Sequence, residues 1–231
     1  MPIGSMRRTV VAATMAFVAT LSLLAAGAAP AMAHPHVHIS VRAILMVEAG
    51  AITGIHHIWL MDEAWLNSQL EEHDKDKDGR LSQAELSGVA EESRATLGMF
   101  RSFTTIRHGG QRIRPGAPGP VKIEYFGDLL GLSFTVPLAR PISLAGAEMA
   151  VEIYDATFFS SFALAGPDAV SLGGDPSAAC AIAPAPASAQ QMAAYRLVAR
   201  QLGEEFNKLA PLPQSVMVKC PTGGITPVVA R

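Results

Sequence analysis

The stretch His36-Val37-His38-Ile39-Ser40-Val41-Arg42-Ala43-Ile44-Leu45-Met46-Val47 decides the fold class. Its odd positions are apolar throughout, whereas His36, His38, Ser40 and Arg42 occupy the early even positions, and a period of two marks a half-buried β-strand. Glu48-Ala49-Gly50 reads as a turn. Residues 51–61, with Ile52, Ile55, Ile58, Trp59 and Leu60, read as the return strand of a hairpin. A lone hairpin is marginal in water, so this pair must belong to a larger sheet.

Upstream, Arg7 and Arg8 precede an apolar run from Thr9 to Ala28, and Ala31-Met32-Ala33 offers small residues at a cleavage point. This is the pattern of a secretory signal peptide over residues 1–33. No later stretch is apolar for the ~18 residues that a membrane span needs. The expected product is exported to the periplasm and carries no span in its mature chain. Its removal takes two arginines and no acid, moving the formal net charge from -2 to -4. Such a balance supplies no basic field for holding a nucleic-acid backbone. With 49% hydrophobic and 16% charged residues, the chain is too apolar for disorder. Export also places Cys180 and Cys220 in an oxidising compartment, where two cysteines without a C-x-x-C spacing form a disulfide.

Downstream, Leu86, Val89, Ala90, Ser93, Leu97 and Phe100 recur at helical spacing, and Met61, Trp65 and Leu70 give a weaker stripe before them. Two helices flanking Asp74–Glu85 follow from this. Short strands punctuated by turns are expected at 103–107, 111–114, 121–126, 130–136 and 149–154, the spacing of an antiparallel sandwich or barrel. Residues 173–186 read as a Gly/Ala/Pro linker. Ser188 and Gln191 form a capping box that opens a helix running through Met192, Tyr195, Val198, Leu202, Phe206 and Leu209, stopped by Pro211. The expected fold is therefore α+β: an antiparallel β-sandwich-like body over 34–182, a helical insertion at 62–100, and a segment at 183–231 holding a linker, an amphipathic helix and a disulfide-tethered tail.

The sharpest local signal is Asp74-Lys75-Asp76-Lys77-Asp78-Gly79-Arg80-Leu81-Ser82-Gln83-Ala84-Glu85. It matches the twelve-residue EF-hand calcium loop at each ligand position. Asp74, Asp76 and Asp78 supply carboxylates, Arg80 a backbone carbonyl, Ser82 a direct or water-bridged oxygen and Glu85 a bidentate carboxylate, while Gly79 permits the sharp turn. The same residues also suit a plain polar loop with a Ser82/Glu85 capping box. With one loop and two lysines diluting its charge, Ca²⁺ affinity of the extracellular type is expected, roughly 10⁻⁴–10⁻³ M.

Histidines are the second signal. His34, His36 and His38 fall on one face of the strand, spaced so that imidazoles at i and i+2 can share a Zn²⁺, Ni²⁺, Co²⁺ or Cu²⁺ ion. Pairing that runs in step from Glu48–Ala51 sets Glu63 opposite His36 and Met61 opposite His38. A one-residue slip substitutes Asp62 and Leu60. Either Asp62 or Glu63 thus offers the carboxylate partner. His57 falls opposite Arg42 and reads with His56 as a core or second-site residue. Cleavage after Ala33 also gives His34 a free amine, the raw material of a copper brace. Pro35 excludes an amino-terminal X-X-His site, because it lacks the amide proton. No G-x-S-x-G, H-E-x-x-H, phosphate loop or dinucleotide fingerprint occurs, so no enzyme is expected.

These residues converge on a family. His34-Pro35-His36-Val37, the run His57-Ile58-Trp59-Leu60-Met61-Asp62-Glu63, the acidic loop, and Tyr154-Asp155-Ala156-Thr157-Phe158-Phe159 followed by Cys180 together resemble the exported bacterial domain-of-unknown-function family one thousand and seven, over most of 34–182. The chain departs from that family's usual pattern at His38, Ser40 and Ala156, where Phe, Asp and Pro are commoner. The resemblance implies a periplasmic component of an ABC-type transport system, accompanying nickel/cobalt-type permeases. A divalent-metal-binding accessory of a transition-metal transporter is the function expected on that ground. A calcium-stabilised protein-interaction module is the alternative.

Overall fold

Alternation along β1 (Val37–Glu48) buries Ile39, Val41, Ala43, Leu45 and Val47 and turns Ser40, Arg42, Ile44 and Met46 outward, as its sequence period requires. The computed structural model describes residues 36–174, 180–204, 206 and 210–222. The expected signal peptide, His34 and the far end of the C-terminal helix at Leu209 lie outside these residues.

Ala49 and Gly50, both at positive φ, turn the chain into β2 (Ala51–Met61). This is the two-residue hairpin turn whose twist suits the flanking strands. Pairing begins as expected with Glu48 opposite Ala51. An irregularity between Met46 and Val47 then shifts the register by one, so that Ile39 faces Met61 and Ala43 faces His57. The expected pairings of His57 with Arg42 and of Met61 with His38 are therefore corrected. The shift was also in the sense opposite to the slip considered from sequence, because one bulge residue is absorbed beside the turn.

Residues 63–99 form α1 (Glu63–His73) and α2 (Gln83–Met99), the two helices expected around the acidic loop. A short 3₁₀ turn leads to β3 (Thr104–His108) and β4 (Gln111–Ile113), and β5 (Lys122–Phe126), β6 (Leu129–Ser143) and β7 (Glu148–Ile153) follow. The chain continues through β8 (Ser160–Leu164), β9 (Val170–Gly174), β10 (Ala181–Ala185), α3 (Ala189–Leu202) and β11 (Ser215–Lys219).

Two sheets result. One runs β5-β6-β2-β1, with β8 and then β9 both paired to the free edge of β1, and the other runs β10-β11-β7-β3-β4. Residues from both, among them Leu45, Phe134, Ile106 and Val218, share one apolar core. The second sheet is antiparallel throughout, but β8 and β9 lie parallel to β1. The body is thus a mixed α/β two-sheet structure, correcting the expectation of wholly antiparallel pairing. The expected linker at 173–186 is corrected in part too, since its described ends are strand.

The C-terminal helix α3 opens with the expected capping box of Ser188 and Gln191. Gln191 is fully buried. Its side-chain carbonyl also accepts the Ser215 hydroxyl at 2.7 Å, and its amide donates to the Gln214 carbonyl at 3.0 Å. One side chain therefore caps the helix and ties it to β11. Tyr195, Val198 and Phe206 pack with Phe158 in a separate small core. Cys180 and Cys220 are bonded as expected, and they flank the Ala181–Lys219 pair, so the disulfide closes the end of the β10–β11 ladder. No helix among the described residues is long and apolar enough to cross a membrane.

Candidate functional site

The acidic loop lies between two helix ends that its own residues cap. Ser82 accepts the Glu85 N–H, and Glu85 Oε2 takes the Ser82 N–H at 2.8 Å, a reciprocal capping box. Glu85 Oε1 reaches back across the loop to the Lys75 N–H at 2.8 Å. These donors, Lys75 first and then Ser82, hold the Glu85 carboxyl below its ordinary pKa. Asp74 Oδ2 accepts the Gly79 N–H at 2.9 Å, and Asp78 Oδ1 accepts the Arg80 N–H at 2.8 Å. Gly79, at φ +83°, makes the turn that a Cβ would strain.

This folding gathers three carboxylates. One oxygen from each of Asp74, Asp76 and Asp78 lies within 4.8 Å of the others. Asp74 Oδ1 is shielded from solvent and accepts no hydrogen bond. At Asp76 the Asp78 N–H pulls the pKa down, but the charge of Asp78, desolvation, Asp74 and Glu85 outweigh it and raise the value. Mutual repulsion of this kind is what a bound cation relieves. The loop is fixed to the sheet at its exit: the Leu81 N–H donates to the Tyr125 hydroxyl at 2.8 Å, and the Arg80 guanidinium lies 3.9 Å over the Tyr125 ring.

The histidine row is arranged differently. His36 and His38 are exposed on the outer face of β1, as expected. The His36 ring lies 4.7 Å from the Phe159 ring, and the backbone N–H of His36 donates to the Phe159 carbonyl. Asp62 lies beside His38 but is engaged by backbone, accepting the His38 N–H at 2.6 Å and the Trp65 N–H at 2.9 Å as the N-cap of α1. Glu63 is exposed in the first turn of that helix. No three ligand atoms of His36, His38, Asp62 and Glu63 gather within 4.8 Å. His38 and Asp62 border a shallow groove of about 280 Å³ with Leu60 and Leu129.

His57 is a core residue. It is 0% exposed, stacked 4.9 Å from Phe134, and burial lowers its pKa to about 3, with a smaller push from His56. His56 instead faces outward and meets the Thr135 hydroxyl at 3.0 Å.

A cleft of about 540 Å³ opens between the helical pair, the ends of β1 and β2, and the turn at 154–160. Trp59, Trp65, Leu97, Phe103 and Phe159 line it, with Glu72 and Glu92 among its polar residues. The Tyr154–Phe159 segment shapes one wall because Asp155, buried, accepts the N–H and hydroxyl of Thr157 and the N–H of Ser160. That turn sends Phe158 into the small core under α3 and Phe159 into the cleft. The sequence reading missed one group, Glu72, His73 and Glu92, whose ligand atoms also lie within 4.8 Å of one another. Its only sequence signal is an acid beside a histidine at a helix end.

The sequence pattern of the family described as "Protein of unknown function (DUF1007)" matches residues 19–220, and the chain belongs to that family. The match extends past residue 182 to take in α3 and Cys220. No curated protein and no solved structure matches the chain.

Proposed function

We propose that this member of the DUF1007 family is a periplasmic divalent-cation-binding accessory protein of a transition-metal transport system, with Ca²⁺ held by Asp74, Asp76, Asp78, the Arg80 carbonyl, Ser82 and Glu85. The observation that carries the reading is the convergence of three aspartate carboxylates, one of which, Asp74, also holds a solvent-shielded Oδ1 that accepts no hydrogen bond. Anchored through Tyr125 to the sheet, a calcium ion there stiffens the junction of α1 and α2 beside the cleft. The transition-metal role, for Ni²⁺, Co²⁺, Zn²⁺ or Cu²⁺, draws on the exposed His36 and His38, on His34, and on Asp62 or Glu63. The partner is a membrane permease or ABC-type component, and no catalytic step is assigned to the protein.

A second reading is favoured by the exposed Met99 and Phe100 at the end of α2, 72% and 51% exposed. In it the calcium-stiffened helical pair is read by a protein partner and binds no transition metal. Elemental analysis of both sides of the membrane after equilibrium dialysis against about 5 mM Ca²⁺ with micromolar Ni²⁺, Co²⁺, Zn²⁺ and Cu²⁺ separates the two. Retained calcium with a transition metal supports the first reading, and calcium alone supports the second. Retention of neither overturns both.

A further inference from the structure

We propose that Glu72, His73 and Glu92 form a transition-metal site at the rim of the cleft, separate from the calcium loop and from the histidine row. The inference rests on the metal-handling reading but moves its transition-metal ligands to the facing surfaces of α1 and α2.

His73 is the last residue of α1, and its side chain turns inward against α2, where Gly88 leaves room beside the ring: a Cβ there would lie 3.8 Å from Nδ1. The residue is 8% exposed, and its Nε2 is shielded from water without a hydrogen bond. Burying an imidazole nitrogen in this way costs free energy that no hydrogen bond returns. Glu92 Oε2 lies 3.3 Å from that nitrogen, close enough for an ion pair but outside hydrogen-bond geometry. A metal with bonds of about 2.0–2.1 Å in tetrahedral array spaces its ligand atoms about 3.3–3.4 Å apart. The Nε2–Oε2 separation already has that span.

Glu72 completes the set from the preceding position of α1, with a carboxylate oxygen within 4.8 Å of a ring nitrogen of His73 and a carboxylate oxygen of Glu92. Glu72 and Glu92 are exposed side chains on the cleft wall, so both can rotate to close the remaining distance without moving backbone. One imidazole and two carboxylates suit Zn²⁺, Co²⁺ or Ni²⁺, whereas an imidazole is a poor ligand for Ca²⁺. Three protein ligands leave a fourth position for water or an exogenous ligand from the cleft, the open arrangement of a site that releases its ion or presents it. His73 directly precedes Asp74, so calcium in the loop holds the imidazole at the end of a fixed helix.

Co²⁺ is the probe, titrated into the full exported chain in excess Ca²⁺ and followed by its visible d–d absorption and by bound cobalt after dialysis. One equivalent is expected at this site, weakened at least about tenfold by Glu92→Gln and by Glu72→Gln and removed by His73→Gln. Calorimetric Ca²⁺ binding should be unchanged in the two glutamate variants, and in a His36→Ala/His38→Ala background the same two substitutions should weaken the remaining Co²⁺ binding as they do in the parent. Unchanged Co²⁺ affinity in Glu92→Gln and Glu72→Gln overturns the site, as does a loss matched by an equal loss of Ca²⁺ binding. Loss confined to the His36/His38 variant overturns this site yet leaves metal handling standing, whereas no cobalt in the parent chain overturns both.

Discussion

The carboxylate of Asp62 joins strand to helix: Oδ2 accepts the backbone N–H of His38 on β1 at 2.6 Å, while Oδ1 accepts the N–H of Trp65 in the first turn of α1. The contact fixes where the helical pair leaves the sheet, and so sets the mouth of the cleft. Replacing Asp62 by Ala removes both bonds and should cost about 1–2 kcal/mol in urea unfolding. Asp62→Asn, which keeps one acceptor for the helix, should cost less than half of that. Equal losses in the two variants would show that charge, not capping, is what the position supplies.

Calcium should stabilise the protein through the acidic loop. With a dissociation constant of about 1 mM, 10 mM Ca²⁺ adds about 1.4 kcal/mol. The gain should vanish in Asp74→Asn and in Glu85→Gln, measured as the calcium-dependent shift of the thermal midpoint. A shift of the same size with Mg²⁺, or one surviving both substitutions, would argue for general screening of the acids.

Buried His57 should make stability fall as pH is lowered. Its pKa is about 3 in the folded protein against 6.5 as the ordinary value, so between those limits the unfolded chain binds a proton that the native state refuses. Falling pH in that window therefore favours unfolding, by up to about tenfold in the equilibrium constant per pH unit from this one group. Urea midpoints between pH 7 and pH 5, above most carboxylate titration, should show this slope, and His57→Phe should flatten it.

Glu152 on β7 is 1% exposed and its partner is Arg107 of β3, at 3.1 Å. Arg107 also donates to the side-chain oxygen Oε1 of Gln190 at 2.7 Å, at the start of α3. Arg107→Met leaves a carboxylate buried without its cation and should cost about 3 kcal/mol. The double variant Arg107→Met/Glu152→Leu should recover most of that loss, which denaturant titration of the single and double variants measures.

Reduction of Cys180–Cys220, forty residues apart, should lower stability by about 4 kcal/mol on the chain-entropy account. Unfolding curves with and without reductant check this, and the Cys180→Ala/Cys220→Ala variant should match the reduced protein. An unchanged midpoint on reduction would mean that the β10–β11 ladder holds without its covalent end.

Local signals were legible in the sequence. The alternation over 37–47 gave away β1, because successive side chains on a strand must face opposite sides. The capping pairs Ser82/Glu85 and Ser188/Gln191 marked two helix starts, and Asp74–Glu85 announced its loop, because these interactions join residues at most eleven positions apart. Long-range relations were left to the tertiary structure. β8 and β9 add to β1 in parallel across more than a hundred residues, and short strands such as Ser160–Leu164 carry little alternation to betray them. The bulge at Met46/Val47 turned His57 into the core and Asp62 toward His38, since one residue of slip exchanges the two faces of a strand. Glu92 meets His73 only because two helices pack face to face, and no spacing along the chain encodes that meeting. The sequence by itself thus determined the elements and their caps, where forces act within a turn or a strand. Only the tertiary structure decided register, sheet partners and which side chains share a site, because those depend on a core that forms collectively.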